Sequence, residues 1–198
     1  MNKEIETQEA ILCAACKEFL QKGFHNATLR HIAAEAEVTT GAIYFFFQNK
    51  EDLFIHILRP LFDDIQRVLE ERFVEYQNQA KQRRFSTQAQ DFEEAMDILQ
   101  IMLHHKEAMQ IILDNRDQPY VVEKMDQLVE LVEAHSRDFI EISGIDIESS
   151  VLHWIAHLQV ERFTYIFEHC KDFTNAQREL KAMVQFIRGG FFALLESS

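Results

Sequence analysis

Apolar positions recur along most of this sequence with the period of an α-helix. The clearest case lies early in the chain, where the spacing i, i+3, i+4 and i+7 is met by Leu29, Ile32, Ala33 and Ala36. Thr28 precedes this stripe, and its hydroxyl can accept a hydrogen bond from the free amides of a first helical turn. The pattern therefore predicts a short helix that begins after Thr28 and ends near Glu37-Val38.

A second short helix is predicted directly after the first. Thr39 or Thr40 offers a new cap, and Ile43 and Phe47 supply an apolar pair at i, i+4. The opposite face is small at its start and aromatic at its end, and consists of Thr40, Gly41, Ala42, Tyr44 and Phe45. Because a helix with small residues and a tyrosine on its outer face fits a DNA major groove, the segment 28–50 is interpreted as a helix-turn-helix.

The same periodicity predicts helices over the rest of the chain. A helix over 5–22 ends at Gly23 in the manner of a C-cap, and Phe24 then fills a small core. Asn49 caps a helix to about residue 80, with a kink or break expected at Pro60. After a polar loop over 81–90, further helices are predicted over 91–114 (broken near 104–106), 119–142 (stopped by Ser143-Gly144), 147–170 and 175–195. These elements indicate an all-α protein with a DNA-binding domain over 1–48 and a helical body over 49–198, in which 49–80 is a connector.

Composition narrows the class of protein. Five glycines and two prolines in 198 residues are few, which favours helices over a β-sandwich. No run of 18 apolar residues is present, and the charged start of the chain does not resemble a signal peptide, so a cytoplasmic protein without a membrane partner is expected. The net charge of −13, with five basic and eight acidic residues in 1–53, predicts weak binding to random DNA.

The helix-turn-helix closely resembles the DNA-binding region of TetR-family transcriptional regulators. The resemblance covers about the first quarter of the chain and rests on Ala27-Thr28, Ile32-Ala33, Ala36, Val38-Thr39, Gly41-Ala42-Ile43-Tyr44, Phe47, Asn49-Lys50-Glu51 and Leu53. Lys22-Gly23-Phe24 stands where that family has its glycine-aromatic corner. Two positions depart from the family: Glu37 replaces the glycine of the turn, and Phe46 replaces a residue that donates to a phosphate.

The resemblance implies how the chain would bind DNA. A homodimer, paired through its last two helices, would read a palindromic operator and would be released by a small, largely apolar effector. Thr28, Tyr44 and Lys50 are assigned to phosphates, with helix N-terminal amides at Thr28 and Thr39 in support. Contacts with base edges are assigned to Arg30, Thr40, Ala42 and Phe45, with Gly41 as a small residue on the same face.

The body is expected to hold the effector and the dimer interface. Flexible or flat side chains suited to lining an apolar pocket are Phe92, Met96, Met102, Met109, Tyr120, Met125, Trp154 and His157. Each of them is also suited to ordinary core packing. The last two helices carry apolar residues on more than one side, which indicates burial beyond the chain's own core, and Gly189-Gly190 would allow close approach of a backbone.

Other candidate chemistry has simpler interpretations. Cys13 and Cys16 form a CxxC, but they lie within a helical pattern and are interpreted as packing residues rather than as a redox pair. His153, His157 and Glu161 form a row at i, i+4 and i+8 that could hold a transition metal in a helical enzyme. A pocket wall or a dimer seam explains that row as well, so neither a cofactor, a metal nor a catalytic residue is predicted.

One further alternative is an interaction module that keeps the fold without binding DNA, which the acidic head and Phe46 would favour. The basic cluster Lys81-Arg83-Arg84 is interpreted as part of a solvated loop rather than as a DNA contact.

Overall fold

The computed structural model describes residues 3–82, 86–143, 147–170 and 172–197, and within them every regular element is an α-helix. The helices are α1 (Lys3–Asn26), α2 (Leu29–Glu35), α3 (Thr40–Phe46), α4 (Lys50–Lys81), α5 (Gln88–His104), α6 (Lys106–Asp114), α7 (Pro119–Ser143), α8 (Ser149–His169) and α9 (Phe173–Ser197). The predicted all-α class is confirmed, as are the break near residue 105 and the helix start at Pro119. Gly144, Arg83 and Arg84, named in the sequence predictions, lie outside the described residues.

Two predicted boundaries are wrong. The loop expected over 81–90 is shorter, because Thr87 caps α5 by accepting from the amide of Gln90, so residues 88–90 are helical. Of the kink or break expected at Pro60, the break is absent, because α4 runs through that residue, and the kink stays a prediction. A proline removes one backbone donor, and the buried side chains of Leu58, Leu61 and Phe62 hold the helix together on both sides of that gap.

The chain forms two compact units. The first unit contains residues 3–63 and 105–122, and the second contains 64–104 and 123–197. In the first unit α1 packs on α2 and α6, and α2 packs on α3. Its fully buried large side chains include Ile11, Phe19, Ile32, Ile43, Phe47, Leu53, Phe54, Leu58, Leu61 and Ile111. The division of roles at residue 48 that the sequence suggested stays a prediction.

The second unit is built on α9, which packs against α5 and α8. Its core includes Ala95, Leu99, Met102, Val129, Leu152, Ile155, Ala156, Ile166, Leu180 and Val184. None of the helices in the described part of the chain is long and apolar enough to span a membrane.

Candidate nucleic-acid interface

The first helix of the motif, α2, is capped as predicted. The Thr28 hydroxyl accepts from the amide of His31 at 3.3 Å, and the apolar stripe places Ile32 and Ala33 in the core. Arg30 therefore lies on the exposed side of α2. This arrangement leaves the Arg30 guanidinium open to a ligand.

The turn between α2 and α3 has a left-handed residue. Glu37 has a φ of 55°, the only positive φ among the described residues other than glycine. The turn is closed by the Val38 amide, which donates to the carbonyl of Ala33 at 2.9 Å. Glu37 thus adopts the backbone conformation that glycine favours at this position, as its place in the pattern suggested.

The second helix, α3, separates its two faces cleanly. Thr39 is the cap, because its hydroxyl accepts from the amide of Ala42 at 3.1 Å. Ile43 and Phe47 are 0% and 1% exposed, which confirms the predicted core pair. On the other side Tyr44 is 57% and Phe45 73% exposed.

The remaining residues on the outer face of α3 are exposed or half-buried. Thr40 and Gly41 are exposed and Ala42 is half-buried. Phe46 is half-buried, with its ring centroid 4.9 Å from that of Phe45 in an edge-to-face contact. That contact orients the Phe45 ring, a role for Phe46 that the sequence did not suggest.

Lys50 has a set of partners that the sequence did not predict. Its ammonium donates to the carbonyls of Phe24, His25 and Ala27 at 2.6, 3.2 and 3.0 Å and lies 4.6 Å from the centroid of the Phe24 ring. Burial lowers its pKa. All three ammonium hydrogens have acceptors, so a phosphate would have to displace one of these bonds.

A buried carboxylate behind the motif was missed by the sequence analysis. Glu18 accepts from the Lys22 ammonium at 2.9 Å and from the Thr28 amide at 3.3 Å, and only 6% of its side chain is exposed. Desolvation alone would raise its pKa, but these two hydrogen bonds and the charge of Lys22 outweigh it, and the pKa is lowered. Glu18 therefore connects α1 to the cap of α2 through a charge-assisted bond.

Two buried amides join the corner at Gly23 to the segment after α6. Gly23 leaves the helical conformation with a φ of 70°, and the next amide, of Phe24, donates to Asn115 Oδ1 at 2.9 Å. Asn115 Nδ2 donates in turn to the carbonyl of Ile111 at 2.7 Å, and Gln118 contacts His25. Phe24 packs on Phe54 at 4.9 Å, as expected of a core residue, whereas its partner Asn115 carried no signal in the sequence.

The predicted pocket residues are spread over both units. Met109 and Tyr120 belong to the first unit, and the second contains Phe92, Met96, Met102, Met125, Trp154 and His157. Met96, Met102 and Met109 are buried. Trp154 is 60% exposed, so it presents most of its ring to the surface of the protomer.

The histidine row on α8 is hydrogen-bonded rather than convergent. Glu133 is 2.7 Å from His153 Nδ1, and the Nε2 atoms of His153 and His157 are 3.2 Å apart. Glu161 instead accepts from the Thr164 hydroxyl at 3.0 Å. Within the described ranges no group of three or more His, Cys, Asp or Glu side chains is arranged to hold a metal ion.

The CxxC cysteines are free thiols on α1. Burial, followed by the neighbouring Glu107 and Cys13, raises the pKa of Cys16 to about 11. Because the thiolate is the reactive form, this environment disfavours redox chemistry at Cys16 near neutral pH.

Comparison with known proteins points to the same segment. Residues 11–57 match the family described as bacterial regulatory proteins, tetR family. The transcriptional repressor BepR of Brucella suis is 53% identical over 53 residues, which are 27% of this chain and 25% of that protein. The transcriptional regulator AcrR of Shigella flexneri is 46% identical over 52 residues, 26% and 24% of the two chains. The chain thus matches about a quarter of the length of these relatives.

Solved structures resemble the chain over nearly its whole length. A TetR-family transcriptional regulator from Syntrophomonas wolfei has a TM-score of 0.68 at 16% identity, covering 94% of this chain and 95% of its own. FadR from Bacillus subtilis, solved in complex with stearoyl-CoA, has a TM-score of 0.65 at 16% identity, covering 92% and 98%. At such identities the likeness shows a shared fold.

Proposed function

The chain belongs to the TetR family of bacterial regulatory proteins, and on that premise we propose that it is a ligand-responsive transcriptional repressor. In this proposal a homodimer binds a palindromic operator and dissociates from it when a small molecule binds the helical body. The relatives that share its helix-turn-helix are transcriptional regulators and repressors, which supports a regulatory rather than an enzymatic role.

The observation that carries the proposal is the outer face of α3. A Tyr44 that is 57% exposed and a Phe45 that is 73% exposed are held outward by a helix whose other face is fully buried. Exposing two large rings side by side costs solvation free energy, so a surface that keeps them exposed is typical of a binding face. Both helix N-termini of the motif are capped by threonine, which fixes where α2 and α3 begin.

We assign the contacts as follows. Tyr44 binds a phosphate through its hydroxyl, and the N-termini of α2 and α3 at Thr28 and Thr39 approach the backbone of the DNA. Base edges are contacted by Arg30, Thr40, Ala42 and Phe45, and Gly41 lets the groove wall come close. Lys50 is left out, because its ammonium already stabilises three carbonyls at the Gly23 corner.

The dimer is proposed to form through α8 and α9. Trp154 and Tyr165, eleven residues apart and so on one face of α8, are 60% and 47% exposed, and Phe186 on α9 is 75% exposed. A Cβ added at Gly189 or Gly190 would meet no atom within 4 Å, so the surface there is open to a partner helix. A dimer also places two reading helices on two half-sites, as a palindrome requires.

Release by an effector requires a difference in affinity. In this proposal two conformations of the dimer differ in the distance between the two α3 helices. The effector must bind the conformation whose spacing does not fit the operator more tightly than it binds the DNA-bound conformation, because equal affinity would shift no population. FadR, which shares this fold, has been solved in complex with stearoyl-CoA, and this supports a small-molecule effector here.

The decisive experiment is a gel shift at low salt with DNA from the protein's own promoter region. Tyr44→Ala should weaken binding more than about a hundredfold, because each of the two protomers loses a hydrogen bond to a charged phosphate and the contact surface of the ring. Tyr44→Phe loses the same hydrogen bonds but keeps the ring, so its affinity should fall between those of Tyr44→Ala and the wild type. Val74→Ala, which truncates an exposed apolar side chain on α4, is the matched control and should bind as the wild type does.

Retention of wild-type affinity by Tyr44→Ala, with a dimer that is still folded by circular dichroism, would overturn the assignment of α3. A wild-type protein that shifts no promoter DNA at any salt concentration would instead favour an interaction module.

A further inference from the structure

A cluster of polar groups lies inside the second unit. It brings together Tyr76 from α4, Glu94 from α5 and Arg162 from α8. These side chains are half-buried, but Tyr76 Oη and Arg162 Nε are cut off from solvent. Among the described residues neither of these two atoms has a hydrogen-bond partner. Orphaned polar atoms are rare in protein interiors, so this cluster calls for an explanation.

Two other arginines of the second unit, Arg72 and Arg188, have guanidinium groups that are paired with carboxylates. Arg72 donates to Asp97 at 2.8 Å and to Glu75 at 3.2 Å. Arg188 forms an ion pair with Asp91 and donates to the carbonyl of Ser86 at 2.6 Å. Each therefore has a carboxylate of its own.

Arg162 differs from both. Its guanidinium lies over the ring of Phe163, 4.6 Å from the centroid, and no carboxylate in the described part of the chain is in ion-pair contact with it. Glu94 and Asp91 act on it only through longer-range attraction. A buried charge without a direct partner is costly, and proteins keep such groups chiefly at functional sites.

Arg162 and Tyr76 both keep their protons at neutral pH and are therefore hydrogen-bond donors. Burial lowers the pKa of Arg162 to about 10, so the guanidinium remains charged at neutral pH. Burial, together with the nearby Glu94, raises the pKa of Tyr76, which keeps its hydroxyl proton. Burial also raises the pKa of Glu94, against the opposing effects of Tyr76, Arg162 and Arg72, and Asp91 adds to the rise. The Tyr76 hydroxyl lies close to Glu94, but among the described residues it has no hydrogen bond of normal distance and angle, and a ligand carboxylate can accept from it.

We propose that Arg162 and Tyr76 bind the carboxylate of an otherwise apolar effector, and that this carboxylate provides the ion-pair partner that Arg162 lacks among the described residues. This inference rests on the proposed function as a ligand-responsive regulator and names the chemical class of its ligand. The planar guanidinium fork matches a carboxylate, and the tyrosine hydroxyl adds a second donor from the facing helix.

Charge and packing both favour a monoanion with an apolar body. Beyond residue 53 the chain carries 15 basic and 25 acidic residues, so a dianion such as a phosphate monoester would be repelled more strongly than a carboxylate. The helix that carries Glu94 also contributes Met96, Ile98 and Leu99 to the core of the unit. Methionine and aliphatic side chains adapt to an apolar ligand at little cost.

The test is isothermal titration calorimetry of the full-length protein, without DNA, against three probes that share a ten-carbon chain. The probes are decanoate, decanol and decyltrimethylammonium, and a second series of benzoate, benzyl alcohol and benzylammonium covers flat ligands. A carboxylate should bind at least tenfold more tightly than its matched alcohol and its matched cation, because a charge-assisted bond to Arg162 is lost in both.

Four variants assign the site. Arg162→Gln should lower carboxylate affinity tenfold to a hundredfold, and Tyr76→Phe should lower it about three- to tenfold. Glu94→Gln removes a negative charge beside the site and should raise carboxylate affinity severalfold. Arg67→Gln, which alters a guanidinium on α4 that pairs with Asp64 and Glu71 outside the cluster, is the matched control and should leave affinity unchanged. If Arg162→Gln fails to fold, Tyr76→Phe and Glu94→Gln still test the site.

Three results would overturn the proposal: no carboxylate of either series binds; the cations bind more tightly than the carboxylates; or Arg162→Gln and Tyr76→Phe both retain wild-type affinity. Since these titrations contain no DNA, and the Tyr44 gel shift contains no effector, failure of one proposal is distinguishable from failure of the other.

Discussion

Single residues in the first unit stabilise the helix-turn-helix through hydrogen bonds that join different helices. Glu18 shows this most clearly, since it is a carboxylate with 6% of its side chain exposed, and it joins Lys22 on its own helix to the amide of Thr28. Thr28 also caps α2 through its hydroxyl. The position of α2 therefore depends on one buried acid as well as on the apolar stripe.

The lowered pKa of Glu18 gives a testable pH dependence. Because the folded-state pKa is below its ordinary value of 4.5, the charged carboxylate stabilises the folded protein above that pH, and the contribution is lost as the pH falls through the folded pKa. Glu18→Gln should lower the free energy of unfolding at pH 7 by roughly 1 to 3 kcal/mol. In urea unfolding, the difference from the wild type should shrink once the pH is below 4.5.

Glu35→Gln is the control for this measurement. Glu35 pairs with Lys17 at 3.2 Å, but both side chains are more than half exposed, so its removal should change stability by less than about 0.5 kcal/mol. A Glu18→Gln protein as stable as the wild type at pH 7 would show that the buried carboxylate contributes nothing to the stability of the folded protein.

At the scale of elements, short-range sequence signals explain where the helices of the motif begin. Thr28 and Thr39 both cap as predicted, and Asn49 accepts from the amide of Asp52 at 2.8 Å at the start of α4. The break predicted at Pro60 did not form, because the local signal was outweighed there. At Pro60 the loss of one hydrogen bond is small beside the burial of the flanking leucines.

The turn between α2 and α3 gives a prediction at this scale. Glu37 has a φ of 55°, which costs a non-glycine residue about 1 to 2 kcal/mol. Glu37→Gly should relieve that strain and, after the entropy cost of glycine, stabilise the protein by about 0.5 to 1 kcal/mol in thermal or urea unfolding. Glu37→Gln removes the same charge but keeps the strain, and should be neutral. Equal stabilisation by both variants would mean that the charge, and not the backbone, is responsible.

At the scale of the whole molecule, α8 and α9 expose large apolar side chains. Phe186 is 75% and Trp154 60% exposed, which is unusual for side chains of this size. Their positions on the last two helices, which the family resemblance assigns to the dimer, make burial against a second copy the simplest account.

Phe186→Glu should therefore convert the dimer into monomers, since a charge on each protomer would be buried at the seam. Light scattering after size exclusion measures the mass directly. Trp154 is the only tryptophan, so its emission should shift to longer wavelength in the monomer. Operator affinity should fall as the dimer is lost, although the helix-turn-helix of each protomer is unchanged.

The control is Val74→Glu, which places the same charge on a 58% exposed apolar residue of α4. It should remain dimeric. A Phe186→Glu protein with dimer mass and unchanged Trp154 emission would contradict the assignment of the interface.

By itself the sequence determined the helical class, most of the helix boundaries and the two faces of α3. Caps, i, i+4 pairs and the period of apolar residues all act within a few positions of one another, so their outcome can be deduced from neighbouring letters. The exposure of Tyr44 and Phe45 followed from the burial of Ile43 and Phe47 on the same two turns.

Only the tertiary structure decided which polar and charged side chains have hydrogen-bond or ion-pair partners. Lys50 is held by carbonyls 23 to 26 residues earlier, and Asn115 accepts from an amide 91 residues away. Tyr76, Glu94 and Arg162 come from three different helices. Such contacts depend on how helices pack rather than on local spacing, and burial then sets the cost of each charge. That is why Lys50, predicted to bind a phosphate, has a full set of partners, while Arg162 is left with a free donor inside the body.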